Sequence, residues 1–320
     1  MQTLRADPHH PVRKRLWQAG LGLALFVGVF VVHELAVRLG DSSRQLSMGG
    51  DFVPVYAAAK LIRNGETTGI YSLHLMERIE RRVVADAELE PLPVFGPFLN
   101  PPFFAALYVP LAGLPYRMAA AGWLAINLML LSAALVLLCR MLPRDVGWRS
   151  WGLVPLLIVL PLPFWQAMCH QQNTFLSLML LTTIVSLWRA SHALGDWAWL
   201  QSGAGPSSGR TGRALNRPGD GPAPLGSKNV ANNYPILAGV VTGLLFYKPQ
   251  LATVIAIVLV LTLGWRALLG LSISATALLA FTLTALPGTL TAYVRALPTA
   301  VSRLQDRPTY NWGRQVTPQS

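Results

Sequence analysis

The chain has few charged residues and only two cysteines, and each shortage argues against a class of protein. Charged side chains make up 12% of the 320 residues, whereas hydrophobic ones make up 52%. Soluble domains carry about 25% charged residues, so this composition predicts an integral membrane protein that crosses the bilayer several times. Cys139 and Cys169 fall at opposite ends of neighbouring predicted spans, which argues against a disulfide or a metal site between them.

Acidic residues are also scarce, since 14 aspartates and glutamates face 26 lysines and arginines, giving a formal charge of +12. No basic stripe with interleaved aromatic residues is present, so we expect no nucleic-acid partner. The basic residues are concentrated between apolar runs, as in the cytoplasmic loops of membrane proteins. No acidic pair or His/Cys cluster indicates a metal, and no glycine-rich loop indicates a nucleotide, so no cofactor is expected.

Long apolar runs predict an all-α, polytopic fold with about seven transmembrane helices. A basic cytoplasmic segment, 1–15, precedes a first span at 16–39, which lacks a good cleavage site and is interpreted as an uncleaved helix. The membrane segments 118–189 and 233–286 follow. Within them, spans are predicted at about 118–142, 151–168, 174–188, 233–247, 251–264 and 267–286.

The remaining segments are loops of three kinds. Residues 40–117 are predicted to form an extracytoplasmic loop with amphipathic helices near 56–65 and 73–84. The loop ends in an apolar stretch, 101–115, which is too short to span and is interpreted as a re-entrant segment. A disordered cytoplasmic connector is predicted at 190–232 and a carboxy-terminal tail at 287–320.

Three polar clusters are predicted to face the same side of the membrane, because two spans separate each from the next. They are Asp51, the turn from His170 to Asn173, and Lys248-Pro249-Gln250. A carboxylate at a membrane surface can act as a general base, but an aspartate before a helical run can equally be a surface residue or an N-cap. Lys248 interrupts an apolar stretch, where a charge is costly. It is interpreted either as a phosphate ligand or as a lysine whose side chain reaches the membrane interface. The turn from His170 to Asn173 can either bind substrate or be an ordinary polar loop.

Ordered motifs run from about residue 49 to residue 270. They are Asp51-Phe52 with Tyr56-Ala57-Ala58, Asn100-Pro101-Pro102-Phe103, Pro110-Leu111-Ala112-Gly113-Leu114-Pro115, Gln171-x-Asn173, Ala238-Gly239 with Gly243-Leu244, and Lys248-Pro249-Gln250. As a set they resemble glycosyltransferase family 87, integral-membrane enzymes of the C superfamily. Such enzymes take sugar from a polyprenyl phosphate on the extracytoplasmic side, and many members are mannosyltransferases.

The resemblance implies a mechanism and a set of site residues. Asp51 is then the catalytic base on a hydroxyl of a glycolipid, polysaccharide or other glycan acceptor, in an inverting transfer of a hexose such as mannose. Lys248 is expected to bind the donor phosphate. The predicted substrate ligands are Tyr56, His170, Gln171, Asn173 and Gln250. The protein is expected in the cell (inner) membrane, among lipids, with an extracytoplasmic active site.

Two other classes remain open at this point. A transporter or flippase for lipid-linked sugars would also need a polar cavity in the membrane. No inverted repeat or matching pair of broken helices indicates one. A shortened, inactive relative that serves as a membrane partner protein is the other alternative.

Overall fold

The computed structural model describes residue 29 and residues 50–89, 96–141, 164, 167–168, 170–201 and 226–305. Every regular element within these residues is a helix, which confirms the predicted all-α class. The predicted span at 16–39 and most of the span at 151–168 lie outside the described residues. The α-helices are α1 (Phe52–Arg63), α2 (Leu73–Asp86), α3 (Pro102–Ala106), α4 (Tyr116–Met141), α5 (Thr174–Gln201), α6 (Gly226–Leu244), α7 (Pro249–Leu263), α8 (Trp265–Ala285) and α9 (Thr289–Gln305).

Three of these helices are long and apolar enough to cross a membrane. They are α4, the Thr174–His192 part of α5, and α8. Their positions agree with the spans predicted at 118–142, 174–188 and 267–286. The apolar helices Asn233–Tyr247 and Pro249–Leu263 coincide with two further predicted spans, at 233–247 and 251–264. They are shorter than the three helices that are long enough to cross a membrane. The total of seven spans stays a prediction.

The chain divides into two compact units, and the first contains residues 1–178 and 278–320. Its centre is α1, in which eight residues are buried, including Phe52, Tyr56 and three consecutive alanines. Small alanine side chains let neighbouring elements approach this helix closely, and α1 packs against both α2 and α3. On α2 the buried residues fall on one face, at Met76, Glu80, Val83 and Val84. Both helices predicted in this loop are therefore present.

The stretch 101–115 contains only short helices. Pro102 begins α3, and a 3₁₀ turn follows at Leu111–Gly113. A proline fits the first turn of a helix because its missing N–H would be unpaired there. Neither element approaches the roughly 20 residues that a span requires, in agreement with a non-spanning segment. Its re-entrant placement stays a prediction.

Helix α9 was not predicted from the sequence, which indicated only a tail at 287–320. It packs against the 3₁₀ turn Thr67–Tyr71 and against α3. The Tyr71 and Tyr293 rings have centroids 5.2 Å apart, and the Thr67 hydroxyl donates a hydrogen bond to the Pro287 carbonyl at 3.4 Å. Apolar residues at helical spacing were the available signal, namely Leu290, Tyr293, Leu297 and Val301.

The second unit contains residues 179–277, and glycines bring α6 and α8 into backbone contact within it. A Cβ atom at Gly239 would overlap the Ala267 carbonyl oxygen, and one at Gly270 would overlap the Ile236 carbonyl oxygen. Small residues permit this approach between membrane helices, where dispersion contacts replace the hydrophobic driving force.

The predicted connector at 190–232 is partly helical. Helix α5 continues through Gln201, and α6 begins at Gly226. Residues 202–225 lie outside the described residues. The helices therefore extend beyond the apolar runs from which they were predicted.

Candidate active site

Asp51 stands immediately before α1, but its side chain does not cap that helix. The residue has α-like backbone angles (φ −77°, ψ −16°) and makes no capping hydrogen bond. Its carboxylate instead accepts a hydrogen bond from the Gln172 side-chain amide, with Nε2 2.7 Å from Oδ2. The side chain is exposed and therefore accessible to a substrate. The N-cap role is therefore not the one that the side chain performs, whereas a general base and a surface aspartate both fit an exposed carboxylate.

Gln171 anchors the turn that carries Gln172. Its backbone is left-handed (φ +53°) and only 2% of its surface is exposed. The side-chain Nε2 donates to the Ala120 carbonyl at 2.9 Å, and the Trp123 indole N–H donates to the Gln171 carbonyl at 3.0 Å. These two bonds to α4 offset the cost of a left-handed residue without a glycine. The reversal at Gln171 directs the following residue toward Asp51.

A second contact orients the Gln172 amide. The Thr174 hydroxyl donates to Gln172 Oε1 at 3.3 Å, at the start of α5. With Oε1 occupied in this way, the amide nitrogen of Gln172 faces the Asp51 carboxylate. Thr174, Gln172 and Asp51 thus form a short hydrogen-bonded chain on one side of the turn.

Aromatic rings pack around Phe52 at the amino-terminal end of α1, next to Asp51. Phe52 stacks on Trp123 with ring centroids 6.3 Å apart and an angle of 8° between the planes. It also contacts Tyr56, Tyr108 and Tyr116, at centroid distances of 6.1, 6.1 and 5.8 Å. Each such pair contributes about 0.5–1.5 kcal/mol beyond its buried area. The residue next to Asp51 is therefore held firmly, and Trp123 joins this cluster to the Gln171 turn.

The remaining predicted ligands of the turn lie near Asp51. His170 is half-buried, and its Nδ1 would be 3.9 Å from a Cβ atom placed on Gly50, the residue before Asp51. Asn173 is half-buried, and its carbonyl accepts hydrogen bonds from the Ser177 N–H and hydroxyl. The structure thus brings Asp51 and the His170–Asn173 turn together, while their shared side of the membrane stays a prediction.

Two predicted ligands are more deeply placed than expected. Gln171 is committed to α4 through its nitrogen, while its Oε1 has no hydrogen-bond partner among the described residues. Tyr56 is 3% exposed and its hydroxyl donates to the Leu114 carbonyl at 2.7 Å. Burial raises the pKa of Tyr56, although the positive charge of Arg63 lowers it in part. The ligand roles of both residues stay predictions.

Lys248 and Gln250 belong to the second unit. Lys248 separates α6 from α7, with Pro249 at the first position of α7 and the Lys248 N–H donating to the Leu245 carbonyl at 2.8 Å. The Lys248 ammonium lies 5.8 Å from the centroid of the Tyr247 ring, close enough for a cation–π contact. Gln250 is exposed in the first turn of α7. Lys248 and Gln250 thus lie at the amino-terminal end of α7, at the break between α6 and α7.

Sequence reasoning overlooked Gln172, the residue that contacts Asp51. The available signal was its position between the two polar residues of the Gln171-x-Asn173 motif. Within the described part of the chain, no three His, Cys, Asp or Glu side chains are grouped so as to hold a metal ion.

Comparison with protein families identifies the chain. The model of glycosyltransferase family 87 matches residues 98–206 and 223–318, well over half of the sequence. The chain belongs to glycosyltransferase family 87. Comparison with curated proteins and with solved structures gives no match.

Family membership makes this chain a membrane glycosyltransferase and confirms the resemblance predicted from its motifs. It favours the enzyme over the transporter. The family 87 match contains the His170–Asn173 turn and Lys248 but begins after Asp51. The link between Asp51 and the matched region is therefore the structural one, the hydrogen bond from Gln172.

Proposed function

We propose that this family 87 enzyme transfers a hexose, with mannose as the first choice, from a polyprenyl-phosphate donor to a hydroxyl group of an extracytoplasmic glycan or glycolipid. One observation carries the proposal. The exposed Asp51 carboxylate lies 2.7 Å from an amide of a turn that belongs to the family-matched region. An accessible, oriented carboxylate is what a transferase needs to accept the proton of an attacking hydroxyl.

The proposed reaction is a single displacement at the anomeric carbon. The acceptor oxygen attacks that carbon and its proton passes to Asp51, while the bond from the anomeric carbon to the phosphate oxygen breaks. The polyprenyl phosphate leaves as a monoester, and the configuration inverts. Positive charge near the departing oxygen stabilises the charge that develops there, which is the role proposed for Lys248. His170 and Asn173, beside Asp51, are proposed to bind the sugar.

The donor class is tested by supplying radiolabelled mannose in two forms to membranes that contain the enzyme. We expect label to reach the acceptor from polyprenyl-phosphate mannose, and not from nucleotide-linked mannose when synthesis of the lipid donor is blocked. Membranes without the enzyme set the background. Transfer that persists from the nucleotide sugar under this block would contradict the proposed donor.

Gln172→Ala tests whether the turn positions Asp51. We expect the transfer rate to fall about tenfold, because one hydrogen bond to a charged group contributes about 1.5–3 kcal/mol and water replaces part of it. The loss should appear in kcat with KM unchanged, since Gln172 acts through Asp51 and not on the substrate. In an Asp51→Asn background the same substitution should have no further effect. Equal losses in both backgrounds would show that Gln172 acts independently of Asp51.

A further inference from the structure

A polar cavity of about 580 Å³ lies between the ends of α1 and α2 and the turn that leads into α4. Its volume is in the range of ligand-binding pockets, about 300–1,000 Å³. The cavity is near the last turn of α1, whereas Asp51 precedes the first. The 12 residues of α1 separate the two, a length of about 18 Å. Neither Asp51 nor a residue of the His170–Asn173 turn lines the cavity, although Tyr56, a predicted substrate ligand, does. Its charged lining residues are Lys60, Arg63, Asp86, Glu88 and Arg117.

The positive charges lie deeper in this cavity than the negative ones. Lys60 and Arg117 are half-buried, while Asp86 and Glu88 are exposed. The Arg117 guanidinium is fixed by two bonds to the Ala87 carbonyl, at 3.0 Å from Nε and 2.8 Å from Nη2. Glu88 comes within 3.9 Å of Arg117, but 80% of its side chain is exposed to solvent, which screens the pair. The inner wall thus carries a net positive charge.

Arg63 adds a third cation at the rim. A Cβ atom on Gly113 would overlap Arg63 Nη1, so a glycine at this position leaves the room that the guanidinium occupies. Among the described carboxylates, none forms an ion pair with Arg63. Cations in the last turn of α1 also stabilise its dipole. The helix dipole of α1 does not account for Arg117, which lies on α4, or for the glycine at position 113, against which Arg63 packs.

We propose that this cavity binds a phosphate group, either in a lipid head group or free in solution. The guanidinium group of arginine and the ammonium group of lysine commonly bind phosphate in proteins. Arg117 is the second residue of α4, a helix long and apolar enough to span the bilayer. The cavity therefore opens at the level where lipid head groups lie. The proposal does not depend on the transferase reaction.

The test measures binding of three probes to the full chain in neutral detergent. They are dihexanoylphosphatidylglycerol, dihexanoylglycerol, which lacks the phosphate, and inorganic phosphate. Wild type should bind the phospholipid at least tenfold more tightly than the phosphate-free lipid. Lys60→Gln/Arg63→Gln should reduce this affinity at least tenfold, and Lys60→Arg/Arg63→Lys should retain it. The matched control is Arg78→Gln/Arg82→Gln, which removes two exposed charges from α2.

The outcomes separate the two sources of phosphate and the failure of the proposal. Competition by inorganic phosphate would assign a free anion, and phospholipid binding without such competition would assign a lipid head group. Equal binding of the two lipids with no binding of inorganic phosphate would overturn the proposal. Equal losses in Lys60→Gln/Arg63→Gln and in the control Arg78→Gln/Arg82→Gln would overturn it as well. Should the pocket variant unfold, Gly113→Ala, which displaces Arg63, must show the loss instead. Asp51→Asn should bind the probes as wild type does, so a failed transfer reaction leaves the result intact.

Discussion

Replacing Asp51 with asparagine is expected to lower the rate of sugar transfer by about 10²- to 10⁴-fold, the usual contribution of a general base. Asparagine has the same shape and retains an oxygen that can accept the Gln172 hydrogen bond, but it cannot take the proton of an acceptor hydroxyl. The melting temperature should change little, because Asp51 is exposed and, within the described part of the chain, the bond from Gln172 is the hydrogen bond that its side chain makes. The measurement compares transfer from polyprenyl-phosphate mannose at matched protein levels.

Glu66→Gln is the matched control for Asp51→Asn. Glu66 is an exposed carboxylate in the same loop, and its side chain makes no capping hydrogen bond. This variant should transfer sugar at the wild-type rate. An Asp51→Asn enzyme that is equally active would remove Asp51 from the mechanism, whereas a loss in both variants would indicate a general effect of charge on the loop.

Glu80 is expected to make the stability of the protein fall as the pH rises from about 4.5 to about 8. Burial raises the pKa of this carboxyl from 4.5 to about 8; the Gly96 amide lowers it in part and the Glu77 charge raises it. Among the described residues, neither carboxyl oxygen has a hydrogen bond of good geometry, and Glu80 is 1% exposed. Between the two pKa values the unfolded chain loses this proton while the folded chain retains it. The free energy of unfolding should therefore fall by about 3–5 kcal/mol over this range.

Glu80→Gln isolates this effect because glutamine has the same shape and does not titrate. In neutral detergent, the free energy of unfolding of the variant should be nearly independent of pH where that of wild type declines. The variant should therefore be the more stable protein at pH 8. Glu66→Gln removes an exposed carboxylate and should leave the wild-type slope unchanged. A wild-type slope that survives in Glu80→Gln would assign the pH dependence to another group.

The helices of the membrane segments could be predicted because long apolar runs leave a chain in lipid few alternatives to a helix. Counting crossings predicted one side of the membrane for Asp51 and the His170–Asn173 turn, but it did not predict that the two are in contact. Neither argument identifies Gln172. Which of two adjacent glutamines faces Asp51 depends on the left-handed backbone at Gln171, and bonds from α4 hold that conformation.

Two other features escaped prediction because tertiary packing overrides local pattern. Glu80 lies in a charged stretch with Glu77 and Arg81, a pattern typical of a solvated helix face, yet it is buried near the Gly96 amide. Helix α9 contains Arg295 and Pro298 and follows the last predicted span, in the segment that was predicted only as a tail. Its apolar face becomes evident only with its partner, the turn Thr67–Tyr71.

Helix α9 packs on the turn Thr67–Tyr71, which belongs to the same loop as Asp51. We therefore expect α9 and Asp51 to lie on the same side of the membrane. Neither element is among the described helices long and apolar enough to cross the bilayer. Two elements in contact must be reached by the same reagents, so a membrane-impermeant label reads both alike. Val294 lies on the exposed face of α9, so Val294→Cys provides a single reactive thiol once Cys139 and Cys169 are replaced by serine. Labelling at this distant position in intact cells reports which side of the membrane the Asp51 carboxylate faces.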